Sequence, residues 1–250
     1  MTKPNKPLIG RGIREATAYA DEVALSKKCG YDFNQIWFYN GDMLIGDDVP
    51  DKAAYIKSFD FPIIIHAMWT LEDFTKYGDR LVELVKYFGH KEVIIHATRK
   101  ETLTIKDANE KLRDLLVAIK SRFDKLGVRV YVENNQRPHC LCATKQQLET
   151  VLASGVELLM DTGHVDSYEH IEEIIKIKKP TCLHLANKRF AMGHEHLPLS
   201  RGDIDFNLFF SKYMKDYDGR IIIEVGNEFA TDEDFEKSKK LLDIVLKERR

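Results

Sequence analysis

The sequence predicts an α/β fold of the (β/α)8, or TIM-barrel, class, folded as a single domain over residues 1–250. Three observations carry that prediction. Short apolar runs alternate with amphipathic stretches, there are eight such runs, and no composition shift or Pro/Gly/Ser-rich linker divides the chain. Strand–helix alternation implies right-handed crossovers and hence a parallel sheet. Eight units are the number that closes a barrel, and each has about 31 residues, in keeping with a class that fills roughly 250. An open doubly wound sheet is the rival fold. Against it, no run is followed by G-x-G-x-x-G or G-x-x-x-x-G-K-[ST].

The predicted strands cover residues 7–13 (PLIGRGI), 35–39 (QIWFY), 61–67 (FPIIIHA), 92–97 (EVIIHA), 128–133 (VRVYVE), 156–161 (VELLMD), 181–185 (TCLHL) and 220–225 (RIIIEV). They are apolar on successive positions, as strands buried on both faces must be. The stretch 70–89 sets Leu81, Leu84, Val85 and Phe88 on one helix face. The stretch 107–127 does the same with Leu112, Leu115, Leu116 and Ile119 and closes on Gly127, a suitable helix stop. A third helix starts at a Ser167 cap and ends before Pro180.

Composition narrows the function classes. With 44% apolar and 31% charged residues, the chain is neither disordered nor membrane-spanning. Lys+Arg 38 against Asp+Glu 40 gives a net charge of −2, which argues against a nucleic-acid partner and against an anionic membrane surface. The N-terminal apolar run is only Leu8-Ile9, too short for a signal-peptide core. Cys29, Cys140, Cys142 and Cys182 read as reduced thiols, so a cytoplasmic location is expected.

The informative residues stand where the apolar runs end. His66, His96, Glu133, Asp161, His184 and Glu224 close six of the eight runs, at separations of 30, 37, 28, 23 and 40 residues, each compatible with one βα step. Barrel strands converge with their C-terminal ends on one mouth, where these six side chains would meet. Taken singly, a strand-end histidine is more often a hydrogen-bonded core residue, and a strand-end carboxylate a helix cap or an arginine partner. Gathered together, they would repel or stay undersatisfied without a cation. A divalent metal is the expected compensator.

Three further histidines reinforce this. His164 follows Asp161 in DTGH, and His194-Glu195-His196 lies in the loop after the seventh strand, which faces the same mouth. Trp69, just beyond His66, and Trp37-Phe38 offer an apolar wall for a ligand, or barrel packing. His139-Cys140-Leu141-Cys142 lacks a second pair at zinc-site spacing and is read as loop. His90, in a Gly-His-Lys turn, and His170, on a helix, are read as solvated.

Glu133 in VYVEN, Asp161 in MDTGH, His184 in LHLAN and Glu224 in IIIEVGN together resemble the xylose isomerase-like TIM-barrel superfamily. That group holds sugar and sugar-phosphate isomerases and epimerases, and also apurinic/apyrimidinic (AP) endonucleases of the endonuclease IV type. The stretch HLPLSRGDIDF over 196–206 is similar to the family's H-L-P-x-G-x-G-x-I-D-F, with Ser200 in place of a usual glycine. The resemblance implies one divalent ion held by Glu133, Asp161, His184 and Glu224. Three carboxylates and one imidazole suit Mn²⁺, Mg²⁺ or Co²⁺. It implies a sugar or sugar phosphate as substrate, an enediolate stabilised by the metal, and Glu133 and Glu224 as catalytic base and acid. His164 and Arg189, with His66 and Trp69, would then contact substrate.

The endonuclease branch is the alternative. His66, His96, Glu133, Asp161, His164, His184, His196 and Glu224 match eight of its ligand positions, and His194 stands at the ninth in place of an Asp. Two or three Zn²⁺ ions would there hydrolyse a phosphodiester. The chain departs from that branch after the seventh strand, where HLANK replaces H-x-N-D. A homodimer is compatible with barrels of this kind.

Overall fold

A computed structural model describes residues 6–98, 104–135 and 140–248. Eight parallel strands form the barrel: β1 Ile9–Gly12, β2 Phe33–Tyr39, β3 Ile63–Thr70, β4 Glu92–Thr98, β5 Arg129–Glu133, β6 Glu157–Asp161, β7 Cys182–Leu185 and β8 Arg220–Ile223. Each pairs with its sequence neighbour, and β1 pairs with both β2 and β8, which closes the cylinder. A two-residue strand, Asp42–Met43, adds an antiparallel ribbon to the outer end of β2.

The helices are α1 Tyr19–Cys29, α2 Lys52–Ser58, α3 Asp73–Phe88, α4 Ile105–Asp124, α5 Lys145–Leu152, α6 Tyr168–Ile177, α7 Phe206–Leu208 and α8 Asp232–Glu248. Their starts follow local chemistry: Asp51, Thr104, Thr144 and Ser167 each accept a backbone N–H from the first turn. The seventh unit departs from the expected pattern. A loop over 186–205 precedes α7, which continues as a π-type turn, Phe209–Tyr213. No helix among the described residues is long and apolar enough to cross a membrane.

Two apolar cores result. The larger lies between the strands and the helices. The smaller lies inside the barrel and consists of Phe33, Ile64, Ile94, Tyr131, Leu159, Cys182 and Ile222, one from each of β2 to β8. Gly10 of β1 completes this ring, and a Cβ there would strike the Phe33 ring. Strand side chains alternate between faces, so the residues two positions further on point inward as well, one layer nearer the mouth. These are Gly12, Gln35, His66, His96, Glu133, Asp161, His184 and Glu224. A greasy layer thus supports a polar one on the same eight strands.

Two histidines differ from expectation. His170 is buried, because it sits in the first turn of α6 and its Nδ1 accepts the Asp166 backbone N–H at 3.3 Å. His90 stacks on Phe88, and burial pushes its imidazole down to about 4. No disulfide joins the cysteines among the described residues. His139 lies outside the described residues.

Candidate metal centre

Four donors from four strands form the heart of the mouth. One oxygen or nitrogen each from Glu133, Asp161, His184 and Glu224 falls within 4.8 Å of the others. Glu133, Asp161 and His184 are buried to within 2% exposure, so bulk water does not screen the group. His184 Nδ1 is the hub: it lies 2.7 Å from Glu133 Oε1, 2.9 Å from Glu224 Oε2 and 3.8 Å from Asp161 Oδ2. Asp161 is held at its backbone by Asn134, whose amide receives and donates a hydrogen bond there at 2.7 and 3.2 Å. Its Oδ1 also takes the Gly163 N–H at 2.6 Å.

The other predicted histidines surround this group. His66 Nε2 lies 3.5 Å from Glu133 Oε2, and His96 Nδ1 makes a short contact with the same oxygen. His66 and His96 sit within strands that continue toward the mouth to Thr70 and Thr98, not at strand ends as their runs suggested. His196 Nε2 lies 3.0 Å from Asp161 Oδ2, and His164 Nδ1 faces the Asn134 carbonyl at 2.9 Å. His194 is exposed and stacks on His164 at 5.3 Å between ring centroids. Three more donor groups follow: His66–His184–Glu224, His66–His96–Glu133 and His164–His194–His196.

The loop over 186–205 holds the last two histidines, and Asn187 anchors it. Its backbone bridges Leu197, and its side-chain amide donates to the Leu199 and Ile204 carbonyls at 2.8 and 3.1 Å. The buried Lys188 donates to the Gly193 carbonyl at 2.7 Å and props the turn before His194. Gly163 lets the loop come close: a Cβ there would lie 2.8 Å from His196 Nε2.

In the metal-free fold the buried carboxylates and imidazoles compensate one another, except at His66. Burial would raise the carboxyl of Glu133, yet His96 and His184 hold it well below the usual range. Asp161 and Glu224 are depressed against the same penalty, chiefly by His164 and His196 for the first and by His184 for the second. Burial lowers His184, but Glu224 and Glu133 more than reverse it and hold the ring well above its ordinary value. His196 is carried up to about 9 by Asp161 against its own burial. His66 goes the other way: burial lowers it, and neither ring nitrogen has a hydrogen-bond partner. Orphaned buried imidazole nitrogens beside three acidic groups fit a bound divalent cation, which supplies the missing partner. The donor set therefore passes the chemical test for a metal.

Two expected substrate contacts, Trp69 and Arg189, fall elsewhere. Trp69 is fully buried between Phe38 and Phe74, with ring centroids 6.2 and 4.8 Å away, so it faces the helices. It is an odd number of residues from His66, and strand alternation turns it outward. Trp37 has the inward parity instead: its ring lies 4.8 Å from that of His66 and is half-exposed at the mouth. Arg189 does not reach the donors. Its guanidinium and backbone N–H grip Glu195, and its side chain is 58% exposed. The sequence reading also missed Gln35, fully buried in the donor layer. Its position two residues before Trp37 in a buried strand was the available signal.

This is a (β/α)8 barrel whose mouth is built from metal-competent side chains on six strands. A family model described as xylose isomerase-like TIM barrel matches residues 23–243, and the chain belongs to that family. No curated protein sequence matches it. Among solved structures, a D-tagatose 3-epimerase-like protein superposes with a TM-score of 0.77 at 17% identity, over 96% of this chain and 97% of the other. The D-allulose 3-epimerase of Methylomonas sp., in complex with D-allulose, gives 0.71 at 15% identity over 100% and 99%. An IOLI protein with a bound zinc atom gives 0.72 at 15% identity over 97% and 99%.

Proposed function

We propose that the chain is a divalent-metal-dependent isomerase or epimerase of a sugar or sugar phosphate. The observation that carries this reading is the four-donor group of Glu133, Asp161, His184 and Glu224 within 4.8 Å, at the mouth of a barrel similar in fold to sugar 3-epimerases. A bound Mn²⁺, Mg²⁺ or Co²⁺ ion would supply positive charge beside the substrate oxygen that becomes negative on deprotonation, the enediolate oxygen.

The chain's own groups supply the rest. Glu133 and Glu224 stand on β5 and the end of β8, separated around the mouth by the strands that carry Asp161 and His184. A sugar carbon between them can lose a proton to one as carboxylate and gain a new proton from the other as carboxylic acid, which leaves the two glutamates with their protonation exchanged. Reprotonation on the opposite face inverts the carbon; transfer to the next carbon isomerises the sugar. Trp37 offers a flat apolar face beside the donors, suited to the C–H face of a sugar. His164 and His66 are within reach of substrate oxygens in the same cleft.

A second reading is favoured by a specific observation: the His66–His96–Glu133 and His164–His194–His196 groups exceed what one ion uses. They suit two or three Zn²⁺ ions and phosphodiester hydrolysis at an AP site in DNA. One pair of assays separates the readings. The metal-loaded protein is incubated with ketohexoses, ketopentoses and their phosphates in D₂O, and in parallel with duplex DNA containing an AP site. Deuterium incorporation at a carbon next to the carbonyl, with a new epimer or isomer, is expected. DNA cleavage without sugar exchange overturns the proposal in favour of the hydrolase.

A further inference from the structure

Gln35 is fully buried, uncharged, and bonded to two of the four donors. Its Nε2 donates to Glu224 Oε2 at 2.9 Å, and its Oε1 lies 2.7 Å from His184 Nε2. Glu224 as a carboxylate can only accept, so the amide must turn its NH₂ toward Glu224 and its oxygen toward His184. An amide oxygen can only accept too. His184 Nε2 must therefore carry the hydrogen.

The consequence falls on the other ring nitrogen. In the neutral ring with hydrogen on Nε2, Nδ1 presents a lone pair, aimed at the point where Glu133, Asp161 and Glu224 converge. Reversing the amide would set its oxygen against the Glu224 carboxylate, so the arrangement has one favourable sense. The barrel makes room for it. Gln35 on β2 reaches past β1 to Glu224 at the end of β8 and His184 on β7, and β1 carries only Gly12 at this level. A Cβ on Gly12 would already sit 3.8 Å from both Gln35 Nε2 and Glu224 Cγ, and a longer side chain would fill the crossing.

We propose that Gln35 is a positioning residue of the metal centre: it fixes His184 as the Nε2–H form and holds Glu224, so that both present their donor atoms to one ion. This rests on the metal-dependent reading above, and is common to both reactions considered there. Outer-shell partners of this kind contribute about 10–100-fold to metal affinity.

The test is a Co²⁺ titration of the metal-free protein, followed by visible absorption and by competition with a chelator. Gln35→Leu should bind Co²⁺ about 10–100-fold more weakly than the wild type, with an altered absorption band. Gln35→Met keeps the length and loses both hydrogen bonds, and should behave alike if the leucine variant folds poorly. In zinc-loaded wild-type protein, nitrogen-15 spectra of the imidazoles should show the His184 proton on Nε2. Unchanged Co²⁺ affinity and spectrum in a folded variant, or a His184 proton on Nδ1, overturns the positioning role alone. A wild-type protein that binds no Co²⁺, Mn²⁺ or Zn²⁺ takes the metal-dependent reading down with it.

Discussion

Two layers inside one barrel, built two residues apart on the same strands, have opposite chemistry. The lower ring of Phe33, Ile64, Ile94, Tyr131, Leu159, Cys182 and Ile222 is apolar but for the Tyr131 hydroxyl, which reaches Glu92 at the barrel's other end. The upper ring gathers three carboxylates, three imidazoles and an amide, all but His96 buried within 9% exposure. Buried apolar groups stabilise the fold wherever they sit, whereas buried charges cost free energy unless they are paired or bind metal. The lower layer thus holds the cylinder closed, and the upper layer spends some of that stability on a site.

The largest expected effect lies in the upper layer. Glu133→Gln keeps the shape and removes the charge that faces His66, His96 and His184; turnover should fall about 10²–10⁴-fold, the range lost with a proton-transfer group. The variant should still fold cooperatively, since the side chain takes no part in either apolar core, with a melting temperature lowered by the buried imidazoles left without their carboxylate. Steady-state kinetics beside a melting curve decide the point, and a large drop in melting temperature at full activity would erase the distinction between layers.

The mirror experiment is Ile222→Ala, two residues below Glu224. Removing a fully buried side chain from the inner cluster should cost about 2–5 kcal/mol in denaturant unfolding. Metal affinity of the remaining folded protein should be unchanged. If affinity collapses with stability, the layers are not separable.

A smaller effect is set by pH. His184 and His196 have raised values in the metal-free fold, so the stability they contribute is present below the ordinary histidine value of 6.5. It drains away as pH rises, through about 9 for His196. Glu133, Asp161 and Glu224 are depressed, so their contribution is present above the ordinary carboxylate values and is lost on acidification. His66 and His90 are lowered by burial, so their contribution is lost as pH falls below 6.5, and metal-free protein should be most stable at about pH 6–7. Metal affinity should move the other way above that range and climb with pH, because the ion displaces imidazole protons. Denaturant melts and metal titrations at matched pH values check both signs.

Most of this architecture was legible in the sequence because buried parallel strands announce themselves as short continuous apolar runs. All eight matched a barrel strand, and the residues that end them converge. Errors came where periodicity gives out. Trp37 and Trp69 look alike in the sequence, but strand alternation turns one to the mouth and the other to the helices. Arg189 lies in an aperiodic loop, whose path is set by the Asn187 side chain and could not be inferred from spacing. Gln35 is not legible from the last residues of each run, because it is a polar side chain deeper in its strand. Counting by twos from the inner apolar ring finds it.

In the proposed centre, acidic and imidazole groups from separate strands share a cation. Elemental mass spectrometry of the chain, purified without chelators, tests it most directly, with Asp161→Asn as the companion. At least one equivalent of a divalent ion should travel with the wild type and be largely lost from the variant. A wild-type protein that keeps no ion after incubation with Mn²⁺, Co²⁺ or Zn²⁺, or a variant that keeps just as much, would rule out a shared cation.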